Sequence, residues 1–137
     1  MEKITVAYLG DLKTEVVHEE SGARLKTAAP KDNHGKGGEF SPTDLMAIAL
    51  GTCVVTLMGI AAGKLQVDLK GLRAEVVKEM VSEPVRRIGR VVVDLYCPAV
   101  VEDKKREAIE KMGRECPVHH SFHPDVQQVI RFHWGKP

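Results

Sequence analysis

Three cysteines, Cys53, Cys97 and Cys116, are the residues of this chain whose chemistry is most informative. Three cysteines are too few for a disulfide scaffold, and an odd number cannot all be paired within one chain. We therefore expect a reducing, cytoplasmic setting. In that setting a cysteine is a metal ligand, a reactive thiol or a small core residue. Cys97 stands directly before Pro98 and is most simply a strand residue, which leaves Cys53 and Cys116 as the functional candidates.

The segment around Cys116 reads CPVHHSFH and combines a thiol with histidines. Pro117 suits the first position of a helix, which places Cys116 at a helix N-terminus, where unpaired amides favour a thiolate. His119 and His123 follow the cysteine by three and seven residues, so three zinc ligands are available, with Cys97 as a fourth. The paired CxxC of zinc ribbons is absent. Zinc binding, a reactive thiol and a simple turn cap all remain open for this segment.

Cys53 lies about halfway along an uncharged stretch, Leu45–Gly63, which predicts a helix about 28 Å long. That length approaches a bilayer core, but the glycines and threonines and the lack of an aromatic belt favour a buried central helix. Cys53 is then a small core residue or a thiol beside the apolar Leu50, Val54 and Leu57. Its own helix N-terminus is too distant to activate it, so a thiolate would need a cation from elsewhere in the fold.

Turn residues and alternation predict the elements before this helix. Residues 2–29 read as three β-strands, and a polar, Gly-rich loop follows over residues 30–40. This loop lacks the GKS or GKT ending of a phosphate-binding loop. Ser41, Pro42 and Asp44 then predict a helix start, as N-cap, first-position proline and capping-box acid.

After the helix the pattern predicts two strands, a second helix and a last strand. A β-bulge is expected at Gly71, and the strand over residues 86–96 ends at Pro98. Residues 100–113 form an amphipathic helix closed by Gly113, and residues 126–134 alternate as a strand. This order predicts an α+β domain over residues 1–137, with one antiparallel sheet packed against two helices.

Composition limits the function classes. The chain has 137 residues, of which 43% are hydrophobic, so it is neither disordered nor low in complexity. Twenty Lys and Arg residues against nineteen Asp and Glu give no general attraction to nucleic acid or anionic membrane. The six aromatic residues are too few for base-stacking platforms. We therefore expect neither nucleic acid nor a membrane as a partner.

Two motifs together, FSPTDLMAIALGTC ending at Cys53 and CPVHHS beginning at Cys116, resemble the OsmC/Ohr family. This family comprises osmotically inducible protein C and the organic hydroperoxide resistance proteins, and the resemblance extends over nearly the whole chain. It implies the OsmC-like fold, in which antiparallel sheets wrap around two central helices in an intertwined homodimer. It also implies a cysteine-based peroxidase with no metal or haem cofactor.

The resemblance assigns roles to both cysteines. Cys53 would attack an organic hydroperoxide, and Cys116 would resolve the sulfenic acid as a disulfide that a dithiol reductant reopens. The alternatives are an OsmC-like scaffold with little or no peroxidase activity that binds small hydrophobic ligands, and a zinc module using Cys116, His119 and His123. Whether the two cysteines reach disulfide geometry is not given by the sequence.

The activating residues match the family less closely. Its peroxidases carry an acid ten residues before the helix cysteine, where this chain has Thr43, and an arginine from the N-terminal hairpin. The hypothesis is therefore that Arg24, oriented by Glu39, stabilises the thiolate, with either residue contributed by its own or a second subunit. Lys13 is the other candidate for the hairpin cation, and His119 is the reserve candidate.

The uncharged helix also predicts a second copy of the chain. A six-stranded sheet and one amphipathic helix from so small a chain cannot cover it completely. Ala47, Gly51, Gly59 and Ala62 would allow two such helices to approach closely. We therefore expect an obligate homodimer with strands shared between subunits.

Overall fold

The computed structural model describes residues 1–137, which form six strands and three helices. The strands are β1 (Ile4–Gly10), β2 (Lys13–His18), β3 (Arg24–Ala28), β4 (Arg73–Val81), β5 (Arg87–Cys97) and β6 (Gln127–Trp134). The helices are α1 (Pro42–Lys64), α2 (Asp103–Arg114) and α3 (Pro117–Ser121). The predicted α+β class is confirmed. The chain divides into two compact units, Met1–Met46 and Ala47–Pro137.

The N-terminal unit is an antiparallel sheet in the order β1-β2-β3, followed by the Gly-rich loop. The loop folds on its own backbone, because the amides of Gly35 and Gly37 donate to the carbonyls of Pro30 and Ala29 at 3.0 and 3.2 Å. A Cβ at Gly35 would lie 1.8 Å from the Ala29 carbonyl oxygen. This glycine is therefore required by close backbone packing, and neither amide is left to bind a phosphate.

The start of α1 has the predicted capping box. The Ser41 hydroxyl accepts a hydrogen bond from the Asp44 amide at 3.0 Å, and the Asp44 carboxylate accepts one from the Ser41 amide at 2.8 Å. Two backbone donors at the helix start are satisfied in this reciprocal way. The first residue of α1 is consequently the one the sequence predicts, Pro42.

The C-terminal unit holds a second sheet, in the order β4-β5-β6. The single sheet expected from the element order is therefore wrong, whereas the resemblance correctly implied more than one sheet. Strands β4 and β5 pair antiparallel, but β5 and β6 pair parallel. The expectation of purely antiparallel pairing is wrong at this last pair, because α2 and α3 form the long crossover that a parallel neighbour requires. Gly71 is not a bulge either: it has a φ of 86° in a turn closed by a hydrogen bond from the Leu72 amide to the Leu69 carbonyl. The register shift lies instead between Glu79 and Met80.

One stripe of α1 is buried in the core of this unit, together with the inner face of β5 and with Ile109 of α2. A Cβ at Gly113 would lie 3.1 Å from Met58 Cγ, so this glycine lets the end of α2 approach α1. With a mean hydropathy of 2.2, α1 is long and apolar enough to cross a membrane, a test that core helices of soluble proteins also pass. Its buried stripe indicates such a core helix. The opposite side of α1 is uncharged and exposed at Met46, Thr52, Thr56, Gly59 and Ile60.

Candidate active site around the cysteine pair

The fold brings Cys53 and Cys116 together, although they are 63 residues apart in the sequence. The two thiols are neighbours, since Cys53 is one of the groups that raise the pKa of Cys116, and both are free. Cys116 is completely buried, whereas Cys53 is partly exposed on α1. The pair therefore has one thiol that a solute can approach and a neighbouring thiol that is buried.

Cys116 is the N-cap of α3, as the Cys-Pro step predicts. Its sulfur accepts a hydrogen bond from the His119 amide at 3.2 Å, and Pro117 occupies the first turn. Burial raises the pKa of the Cys116 thiol, and the neighbouring Cys53 raises it further. The amides of His119 and Val118 act in the opposite direction by hydrogen bonding to the sulfur. Because burial is the largest effect, the net result is a raised pKa, which favours the protonated thiol of Cys116.

The His119 side chain is held by Gln128 of β6, a residue that the sequence reasoning missed. His119 Nδ1 and Gln128 Oε1 are 2.8 Å apart, and Gln128 Nε2 donates to the His119 carbonyl at 3.0 Å. A lone glutamine in a strand gives no pattern that would have identified it. Only the parallel placement of β6 beside β5 brings it to α3.

The zinc alternative requires a cluster that the fold does not form. No group of three or more His, Cys, Asp or Glu side chains lies close enough to hold a metal ion. The His119 ring is bonded to Gln128, and His123 Nδ1 accepts from the Asp125 amide at 3.0 Å. The proposed set of Cys116, His119 and His123 is therefore not assembled as a metal centre.

Cys97 is the last residue of β5 and is 2% exposed. It belongs to neither a metal cluster nor a disulfide. Its carbonyl accepts a hydrogen bond from the Lys136 amide. The prediction that it is a strand residue is confirmed.

Arg24 and Glu39 both lie in the N-terminal unit. Arg24 begins β3, with a side chain that is 61% exposed, and its Nη1 pairs with Glu15 Oε1 of β2 at 2.7 Å. Glu39 is an exposed residue of the loop before α1, and Lys13 is an exposed residue at the start of β2. The sequence reasoning thus missed Glu15 as the acid that holds Arg24. The role of Arg24 and Glu39 toward Cys53 stays a prediction.

A cavity of about 410 Å³ opens between α1 and β4. Its walls are mainly apolar, with Arg73 as the charged lining residue, and include Ile48, Gly51, Val55, Leu72 and Val76. Gly51 is required there, because a Cβ would lie 2.6 Å from Val76 Cγ2. The cavity is the right size and polarity for a small apolar molecule.

Comparison with known proteins supports the resemblance read from the two motifs. Residues 35–130 match the family described as OsmC-like protein, a range that includes both site cysteines. No curated protein matches the chain.

Several solved structures share the fold over almost the full length of both chains. A protein from Psychrobacter arcticus, provisionally named an osmotic stress induced and detoxification response protein, is 39% identical with a TM-score of 0.91, covering 97% of this chain and 96% of its own. An OsmC-like protein from Mycoplasma pneumoniae is 13% identical with a TM-score of 0.81, covering 98% and 96%. An organic hydroperoxide resistance protein from Legionella pneumophila is 15% identical with a TM-score of 0.76, covering 97% and 96%. The two more distant structures agree in fold alone, whereas the sequence match and the first structure agree in sequence as well. With its cysteine-bearing central helix and its Cys-Pro helix start, this chain belongs to the OsmC-like protein family.

Proposed function

We propose that the protein is a thiol-dependent peroxidase that reduces organic hydroperoxides. The observation that carries this proposal is that the partly exposed Cys53 is a neighbour of the buried Cys116 and acts on its pKa. A peroxide needs access to only the first thiol, and the second is adjacent to receive the oxidised sulfur. The Legionella protein of the same fold is named for organic hydroperoxide resistance.

The proposed reaction has three balanced steps. The Cys53 thiolate attacks the terminal oxygen of ROOH, the O–O bond breaks, and a proton is taken up, giving Cys53 sulfenic acid and the alcohol ROH. The Cys116 sulfur then attacks the sulfenic sulfur, and water leaves as the disulfide forms. A dithiol reductant reopens this disulfide by exchange and becomes oxidised in turn. Hydrophobic peroxides are the expected substrates, since Cys53 lies on an apolar helix beside Leu50, Val54 and Leu57.

Mass spectrometry of the peroxide-treated protein tests this proposal. One equivalent of cumene hydroperoxide is expected to remove two hydrogens from the reduced protein and to link Cys53 to Cys116. Cys97→Ser is the matched control and is expected to behave like the wild type, because Cys97 is buried at the end of β5 and has no part in the proposed reaction. Full peroxide reduction by Cys53→Ser would end the proposal.

The cation that activates Cys53 is proposed to be Arg24, with Glu39 as its orienting acid. An exposed guanidinium held by one carboxylate, as Arg24 is by Glu15, can exchange partners at low cost. Arg24→Ala is expected to slow Cys53 alkylation about tenfold at fixed neutral pH, because less thiolate is present. Lys26→Ala, which removes a cation from the same strand, is the control. An unchanged rate in Arg24→Ala would remove Arg24 from the site.

We propose a homodimer because two apolar surfaces of the chain are exposed. The uncharged side of α1 is exposed, and β1 exposes Ile4, Val6 and Tyr8 at 59, 63 and 68%. Apolar faces of this kind are usually covered by a partner in a soluble protein. Thr56→Arg, which places a charge on the exposed side of α1, is expected to give monomers at micromolar concentration in analytical ultracentrifugation. A wild-type protein that is itself monomeric there would contradict the proposal.

The ligand-binding alternative rests on the cavity between α1 and β4. A small alcohol such as octanol is expected to raise the melting temperature of the wild type by binding there. Val55→Asp places a charge in the wall and is expected to abolish that shift. Octanol stabilisation combined with no cysteine oxidation by peroxide would favour the ligand-binding scaffold over the peroxidase.

A further inference from the structure

Gln128 makes two hydrogen bonds to a single residue of α3, and their directions can be assigned. Its Nε2 donates to the His119 carbonyl at 3.0 Å, which leaves Oε1 as the acceptor facing His119 Nδ1 at 2.8 Å. His119 Nδ1 therefore carries the proton in this contact. An Nδ1–H donor is present in both the neutral and the charged ring, so the contact does not depend on the charge of His119.

The same residue is connected to the buried thiol through its backbone. The His119 amide donates to Cys116 Sγ at 3.2 Å. Between Cys116 and His119 the chain makes only the first turn of the five-residue α3. A helix of this length has little stability of its own, so its geometry must be fixed by contacts with the rest of the fold. Gln128 supplies such a contact from β6, an edge strand that is paired with β5 along its whole length.

We propose that Gln128 is a positioning residue. Its two hydrogen bonds, to the ring and to the carbonyl of His119, form a clamp that keeps the His119 amide on the sulfur of Cys116. This inference rests on the proposed peroxidase cycle and adds a residue to it. In that cycle the His119 amide stabilises the Cys116 thiolate, which must attack the Cys53 sulfenic acid. The clamp acts on Cys116 through α3 and touches no reacting atom. The reaction remains the condensation of a thiol with a sulfenic acid, with release of water.

The consequence of losing the clamp can be estimated from hydrogen-bond strengths. Removing one amide donor from a thiolate is expected to move its titration midpoint up by about one unit, so that about tenfold less thiolate is present at neutral pH. Each remaining thiolate is more nucleophilic, by about threefold for a Brønsted slope of about 0.45. Disulfide formation after oxidation of Cys53 is therefore expected to slow about threefold.

The first experiment titrates Cys116 alone and needs no peroxidase activity. In a Cys53→Ser, Cys97→Ser background the ultraviolet absorbance of the thiolate is followed against pH, with a cysteine-free protein as baseline. Gln128→Met keeps the side-chain volume and removes both hydrogen bonds, and is expected to raise the midpoint by about one unit. Gln127→Met is the matched control, because Gln127 is the exposed neighbour on the opposite face of β6.

Variants of His119 separate positioning from acid–base chemistry. His119→Asn keeps an N–H donor close to the Nδ1 position and is expected to retain the wild-type midpoint. His119→Leu removes that donor and is expected to shift the midpoint in the same direction as Gln128→Met. This variant therefore tests the proposal independently if Gln128→Met does not fold. An unchanged thiol titration midpoint in Gln128→Met would overturn the proposal. If Gln128→Met does not fold, an unchanged midpoint in His119→Leu would overturn it instead. An equal shift in His119→Asn would also overturn it, since the ring itself and not the clamp would then matter.

The second experiment measures the rate of disulfide formation in the otherwise unchanged protein after one equivalent of cumene hydroperoxide. Gln128→Met is expected to be about threefold slower than the wild type, with Gln127→Met unchanged. A wild type that forms no Cys53–Cys116 disulfide would refute the proposed function, while the thiol titration would still decide the role of Gln128.

Discussion

Asp94 of β5 is the residue whose substitution gives the most detailed test of the C-terminal sheet. Its carboxylate accepts hydrogen bonds from Arg131 Nε and Nη2 at 2.7 and 2.8 Å and from His133 Nε2 at 2.8 Å. Both partners lie on β6, so this carboxylate holds the parallel pair together on the face opposite Gln128. Asp94→Asn keeps the shape of the side chain and removes its charge.

The expected loss can be worked out from the charge environment. The hydrogen bonds from Arg131 and His133 lower the pKa of Asp94 to about 2, from an ordinary value of 3.8, against the opposing effect of burial. A difference of this size corresponds to about 2 kcal/mol of stability when the group is fully ionised. The Arg131 side chain is 54% exposed, so solvent screening reduces this, and we expect about 1 to 2 kcal/mol.

The sign of the pH dependence follows from the lowered pKa. The unfolded chain binds the proton more readily, so the contribution is present above about pH 4 and is lost as the pH falls toward about 2. Urea unfolding of the wild type and of Asp94→Asn is therefore expected to differ most at about pH 7, with about half of that difference left at about pH 3. Glu75→Gln, a change at an exposed acid of β4 paired with Asp94 in register, is the control and is expected to have little effect. A difference that stays constant from neutral to acid pH would refute the reasoning.

Three further predictions concern α1 and the cysteine pair. Ser41→Ala removes the acceptor of the Asp44 amide and is expected to lower the free energy of unfolding by about 1 kcal/mol; an unchanged urea midpoint would contradict this. Gly51→Ala places a Cβ 2.6 Å from Val76 Cγ2 and is expected to cost about 1 to 3 kcal/mol, most of which a second change, Val76→Ala, should restore. Cys116→Ser leaves the sulfenic acid without its resolving thiol, so excess peroxide is expected to add two oxygens to that variant as a sulfinic acid. A mass that returns fully to the reduced value with dithiol would count against Cys116 as the resolving residue.

The two sheets show where sequence patterns stop being informative. Alternation of residue types identified the strands, and burial alternates with it in β4, although β1 is exposed on both faces. It could not distribute them between two sheets, since strand partners are chosen by contacts between distant residues. The parallel pairing of β6 with β5 and the turn at Gly71 were missed for the same reason: a local pattern is compatible with several partners.

What the sequence determined by itself is local chemistry. The capping box at Ser41, the uncharged length of α1 and the Cys-Pro start of α3 depend on neighbouring residues, and short-range hydrogen bonding and side-chain periodicity are enough to specify them. The motifs around Cys53 and Cys116 were sufficient to indicate the family. Only the tertiary structure decided that these two thiols are neighbours and that Gln128 reaches α3. Cys53 and Cys116 are more than sixty residues apart in the sequence, and Gln128 and α3 belong to different elements. Such contacts form only when the hydrophobic core packs, because burial of apolar surface determines which distant side chains become neighbours.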